Sequence, residues 1–251
     1  MVLKTGIERF IMRAVLFSFL LIFIIASCQK DGKKTNDVIF NFDLHDGLTD
    51  EDIPLVKNKL QGNIDRILSD LNVEYSGTFT IHVWDNNENY LEAQENNIGT
   101  RYPGSSGYVI GENELALLHV SGMEENAEHE LAHCISLHIQ SNFGNNPRWL
   151  WEAVAIYESG EFHDPRNINY LASGDYPTIA ELNGDFNNGD QKIYEVGYLI
   201  TEFILHEWGK VKLIELIRNL GDVENVLDIS VTDFEGKWKT FMDAKYFKSK
   251  S

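Results

Sequence analysis

Residues 126–139 read Asn126-Ala127-Glu128-His129-Glu130-Leu131-Ala132-His133-Cys134-Ile135-Ser136-Leu137-His138-Ile139. Leu131, Ala132, Ile135 and Ile139 form an apolar stripe at helical spacing, and the run holds no Pro or Gly, so it predicts a helix. Within it stands H-E-x-x-H. Residues four apart share one helical face, so His129 and His133 can grip a single metal ion. Glu130 sits beside that face, where a carboxylate can take a proton from a metal-bound water.

Two imidazoles leave a catalytic metal site one protein ligand short. The position six residues after His133 is Ile139, and His138 points elsewhere on the helix. Glu152 is the candidate, in Pro147-Arg148-Trp149-Leu150-Trp151-Glu152-Ala153-Val154-Ala155-Ile156-Tyr157. Residues 141–148 are rich in Asn, Gly and Pro and read as a turn between two helices. A helix–turn–helix can bring Glu152 back over the histidine pair. A site with two imidazoles suits zinc (Zn2+) rather than Mg or Ca.

H-E-x-x-H, eighteen intervening residues and then Glu152 within P-x-W-L-x-E resembles the gluzincin metallopeptidases. The pattern is most similar to the peptidase MA-like group, relatives of the aminopeptidase N family, although Ala153 stands where that group usually has Gly. The resemblance runs over residues 107–241. It continues in Tyr176-Pro177-Thr178-Ile179-Ala180-Glu181-Leu182, in Tyr194-Glu195-Val196-Gly197 and in Phe234-Glu235-Gly236-Lys237-Trp238. It implies an α+β, zincin-like fold, with a small mixed sheet packed on helices that carry the zinc site. It also implies that Tyr194 supplies a transition-state hydrogen bond, as a tyrosine does in Tyr-Glu-x-Gly of aminopeptidase N relatives. In zincins a strand just before the motif helix borders the cleft, and residues 115–120 are the candidate for an edge that pairs with substrate backbone. Gly122-Met123-Glu124-Glu125-Asn126 looks like the G-x-M-E-N amine-binding motif but stands too close to His129, and reads as a helix N-terminus with Glu124 and Glu125 in its first turn.

Lys4, Arg9 and Arg13 precede a short apolar run over residues 14–26, followed by Ser27-Cys28. Residues 1–27 read as a secretory signal. The small residues before Cys28 resemble a bacterial lipobox, which implies lipidation of Cys28, a membrane anchor and a place in the cell envelope at the outer membrane. Residues 28–37 are polar and read as a flexible tether, leaving 38–247 as the metallopeptidase domain. With Cys28 lipidated, Cys134 has no disulfide partner and reads as a small buried residue. The formal charge is −18, which argues against nucleic acid as a partner.

Val38, Phe40 and Phe42 alternate as a strand, and Ile53, Val56, Leu60, Ile64, Ile67 and Leu71 follow helical spacing, with Thr49 as a candidate N-cap. Phe79, Ile81 and Val83 predict a second strand, with His82 on its other face reading as structural. Residues 86–94 predict a short helix. Residues 108–110 and 114–120 predict a hairpin, and 161–192 a long irregular segment holding His163. A helix from Ile193 should stop at Gly209 and resume to Gly221, and Thr232 with Glu235 suggests a capping box for a last one. The expected function is a lipid-anchored zinc metallopeptidase acting on peptides or proteins, with Glu130 as general base. The alternative is a protease-like binding lipoprotein without useful turnover.

Overall fold

The computed structural model describes residues 37–184 and 191–247. The signal segment 1–27, the lipidation candidate Cys28 and all of the tether except Asp37 lie outside them. No helix among the described residues is long and apolar enough to cross a membrane.

The chain is mixed α+β. Strand β1 (Val38–Leu44), helix α1 (Pro54–Asp70) and strand β2 (Gly77–Trp84) open it, then α2 (Asn87–Ile98), β3 (Gly107–Gly111) and β4 (Glu114–Leu118). Helices α3 (Met123–Ile139) and α4 (Arg148–Ser159) follow. The short α5 (Asn169–Ala172) and α6 (Ile179–Leu182) precede α7 (Lys192–Arg218), α8 (Val223–Leu227) and α9 (Val231–Met242).

The four strands form one sheet in the order β1-β2-β4-β3, with β1, β2 and β4 parallel and β3 antiparallel to β4. The expected hairpin is present, but β4 pairs on both sides. Residues 115–120 therefore supply no edge; β3 is the edge beside the motif helix. The apolar run Leu115-Ala116-Leu117, wholly buried, is the signature of an interior parallel strand.

Alternation along β2 turns Phe79, Ile81 and Val83 to one face, where they join Val56, Leu60 and Ile64 of α1 and Leu131 and Ile135 of α3 in the main core. On the other face Trp84, Ala116 and Leu118 pack with Tyr90 and Leu91 of α2 in a smaller cluster.

Helix α1 begins at Pro54, whose missing N–H costs nothing in a first turn. Thr49 does not cap it; its N–H and hydroxyl both bind Asp52 instead. Helix α9 is likewise capped by Ser230, which accepts from Asp233 N, rather than by Thr232. Glu235 accepts from Ile179 N at the start of α6. Gly209 does interrupt α7, with φ 76° inside an otherwise helical run. Among its described residues the irregular segment carries α5, α6 and a 3-10 turn, Pro165–Asn167, with His163 exposed in the loop.

Candidate metal centre

Helices α3 and α4 meet at the site. Arg66 of α1 ties them together: its Nη2 donates to Glu128 Oε1 at 2.9 Å and its Nη1 to Glu158 Oε2 at 2.7 Å. Lys59 Nζ lies 3.0 Å from the other Glu128 oxygen. Both carboxylates are buried, and buried charges of this kind hold only when paired. On its far side α4 is gripped by α7. A Cβ at Gly197 would lie 2.7 Å from Ile156 Cδ1 and 3.1 Å from Ala153 Cα, so the two helices touch backbone to backbone. Thr201 Oγ1 adds a hydrogen bond to Ala153 O at 2.8 Å.

That frame brings His129, His133 and Glu152 to one point. Glu152 Oε2 lies 3.3 Å from His129 Nε2 and 3.7 Å from His133 Nε2. All three donor atoms fall within 4.8 Å of one another. Ligands held at about 2.0–2.1 Å around a tetrahedral ion sit about 3.3–3.4 Å apart, so the spacing suits a metal. Glu152 Oε2 is buried and makes no hydrogen bond among the described residues, a costly state for a carboxylate oxygen unless a cation takes it. The donor set therefore fits a metal ion.

The surroundings fix each ligand. His129 Nδ1 lies 2.9 Å from Glu161 Oε1, and Ser159 Oγ donates to the same oxygen. A carboxylate on the far nitrogen holds the tautomer and aims Nε2 at the metal position. His133 is held by stacking: the Trp151 ring lies 3.9 Å away at 7°. Burial works against a charged His129, yet the carboxylates of Glu152 and Glu161 hold its pKa well above the ordinary value. Burial brings His133 down to about 4. Burial would also raise Glu152, but the two imidazoles hold it well below the carboxylate range.

Glu130 opens on the same cavity, of about 670 Å³, as the three donors. Burial pushes its pKa up to about 7, where a carboxylate can exchange a proton near neutrality. Its position depends on Gly107 of β3: a Cβ there would lie 2.7 Å from Glu130 Oε1. Tyr194, in the first turn of α7, lines the cavity too. Burial raises its hydroxyl pKa, and the nearby Glu152 adds to the rise. Arg148, the first residue of α4, lies over the Tyr194 ring, 5.4 Å from its centre, where its positive charge opposes that rise; its Nη1 donates to Gly184 O at 2.8 Å.

Cys134 is buried and faces Gly111 O, away from the donors. His138 binds Asn113 outside the site. Sequence reasoning missed Glu161, Gly107 and Arg148. Arg148 stands inside the quoted P-x-W-L-x-E run; nothing in the spacing of the other two pointed to them. Comparison with protein-family models, curated proteins and solved structures finds no match to this chain.

Proposed function

We propose that this chain is a zinc-dependent metallopeptidase with a zincin-like fold, hydrolysing peptide bonds in the cleft between β3 and α3. The observation that carries the reading is the convergence of Glu152 Oε2 on the Nε2 atoms of His129 and His133, with Glu130 facing the same cavity.

In this reading His129, His133 and Glu152 hold the zinc. Zinc bound there would act as a Lewis acid and bring the pKa of water to about 7. Glu130 accepts the proton of the attacking water, a role suited to its raised pKa. Tyr194 donates to the oxyanion that develops on the scissile carbonyl. The Arg148 guanidinium lies over the Tyr194 ring, and its positive charge opposes the rise of the phenol pKa. Glu161 keeps His129 in register.

The substrate lies extended along β3. All five residues of that strand line the cavity, and β3 is the outermost strand on that side, so its free backbone groups can pair with a peptide. Export, lipid attachment at Cys28 and residence at the outer membrane belong to the same proposal and rest on residues 1–28 alone.

Glu130→Gln tests the reading. The amide cannot accept the proton, while the three ligands are untouched, so zinc content should persist and turnover should fall roughly 10²–10⁴-fold. Near-normal turnover with zinc bound would remove Glu130 as the base. An unaltered chain that binds zinc but cleaves nothing in a broad peptide library would favour the binding-protein alternative.

A further inference from the structure

The outer face of the sheet carries a second group of donors that the first site does not use. Asp43 of β1 and His82 of β2 are register partners on adjacent parallel strands. Both side chains leave the sheet on the face opposite Phe42, Ile81 and Val83. His45 stands two residues beyond Asp43, its N–H donating to Val83 O at 2.8 Å. Its ring lies flat on Trp84, with centroids 4.3 Å apart and planes at 9°.

The geometry repeats that of the first site. Asp43 Oδ2 lies 3.1 Å from His82 Nδ1 and 3.4 Å from His45 Nε2. The three donor atoms fall within 4.8 Å of one another. In both places one carboxylate oxygen sits between two imidazole nitrogens at the separation that ligands of about 2.1 Å bond length adopt around a tetrahedral ion.

The hydrogen bonds argue for a cation there. His82 Nε2 lies 2.7 Å from Glu114 Oε1, and an ionised carboxylate only accepts. Nε2 therefore carries the proton, and on a neutral ring Nδ1 turns a lone pair toward Asp43, a second acceptor. A positive ion between them removes the conflict. Glu114 then stands on the far nitrogen of a metal-binding histidine, the usual place for such a carboxylate. His45 Nε2 is buried and makes no hydrogen bond among the described residues. A protonated His82 between Asp43 and Glu114 is the competing account; it leaves His45 Nε2 with no hydrogen bond and only the Asp43 oxygen at 3.4 Å.

We infer that Asp43, His45 and His82 form a second binding site, for a divalent transition-metal ion, open to solvent in its remaining position. Two imidazoles with one carboxylate suit zinc or copper and disfavour magnesium and calcium. The ion would fasten β1, the outermost strand on its side, to β2.

The test uses Zn2+ as the probe. Zinc retained after equilibrium dialysis is measured on the full chain, on Asp43→Asn, on a His129→Ala/His133→Ala double variant and on the three changes combined. Circular dichroism confirms that each is folded. The unaltered chain should hold two ions, Asp43→Asn and the double variant one each, and the combined variant none. A folded double variant that binds no zinc, or whose binding Asp43→Asn leaves unchanged, overturns the proposal. If the double variant does not fold, the unaltered chain is compared with Asp43→Asn and with His82→Gln. One ion fewer in both supports the site, and equal zinc in all three overturns it.

Discussion

Gly107→Ala is the sharpest probe of how the fold positions Glu130. The added methyl carbon would lie 2.7 Å from Glu130 Oε1, 2.8 Å from its Cγ and 3.1 Å from its Cδ. Ordinary carbon contacts begin near about 3.5 Å, so Glu130 must retreat by roughly 0.7 Å. Gly107 does not have a positive φ, so alanine suits the backbone and the strain falls on the Glu130 side chain. Overpacking of this size typically costs about 1–3 kcal/mol, and a flexible carboxylate tip should keep the cost at the low end. Catalysis is less forgiving, since a misplacement of about 1 Å can cost about 10²-fold. The expected result is a folded, zinc-binding protein whose kcat/KM for a generic peptide falls roughly 10- to 100-fold. The assay pairs steady-state cleavage with zinc analysis and thermal unfolding. Unchanged kcat/KM in Gly107→Ala would mean that Glu130 does not act from the place it occupies. Lost zinc would mean that the methyl group disturbs α3 itself.

Glu161→Gln should weaken zinc binding roughly 10- to 100-fold, because it removes the charged partner of His129 Nδ1 without touching a ligand; chelator competition measures it, and unchanged affinity would reduce Glu161 to a packing residue. Tyr194→Phe should lower kcat about 10²–10³-fold with zinc content unchanged, the cost of one lost oxyanion donor; a change confined to KM would refute that role. Burial raises the Glu158 pKa from 4.5 to about 7, against the opposing Arg66. The folded state therefore binds the proton more tightly than the unfolded state. The resulting stability is full below about 4.5 and is lost as pH climbs to about 7. The stability of the unaltered chain relative to Glu158→Gln should fall across that window in denaturant titrations, and a rise would contradict the sign.

The sequence disclosed what depends on local periodicity. His129 and His133 share a face because four residues make one helical turn, and Glu152 returned to them because the Asn-, Gly- and Pro-rich turn reverses the chain. The strands at Val38 and Phe79 were legible from alternation. Pairing order was not. Whether residues 115–120 lie at an edge depends on β2, about 35 residues away, and a short apolar run reads the same in either place. The cap of α9 was misjudged because Ser230 and Thr232 both stand near the helix start and compete for one role, whereas α1 starts at Pro54 with no side-chain cap at all. Glu161 escaped because it follows the left-handed Gly160 that ends α4; past such a break, helical spacing no longer says where a side chain points.

Polar satisfaction draws the two candidate sites out of the rest of the fold. Among the described residues, five buried side-chain nitrogen or oxygen atoms make no hydrogen bond: His45 Nε2, His133 Nδ1, Arg148 Nη2, Glu152 Oε2 and Trp238 Nε1. Native proteins rarely leave such atoms unpaired, and each calls for a reason. Trp238 belongs to the apolar core of α9, where the indole earns its place by packing. The other four fall on the two donor groups and on the cavity wall beside them. Glu152 Oε2 and His45 Nε2 are the atoms a metal would occupy. Arg148 Nη2 belongs to the guanidinium that lies over the Tyr194 ring, and His133 Nδ1 to the ring stacked on Trp151. Elsewhere the same chain pairs its buried charges closely, as Arg66 does for Glu128 and Glu158. Of the five unpaired atoms, Glu152 Oε2 and His45 Nε2 are the two that an ion held in the two donor groups would satisfy.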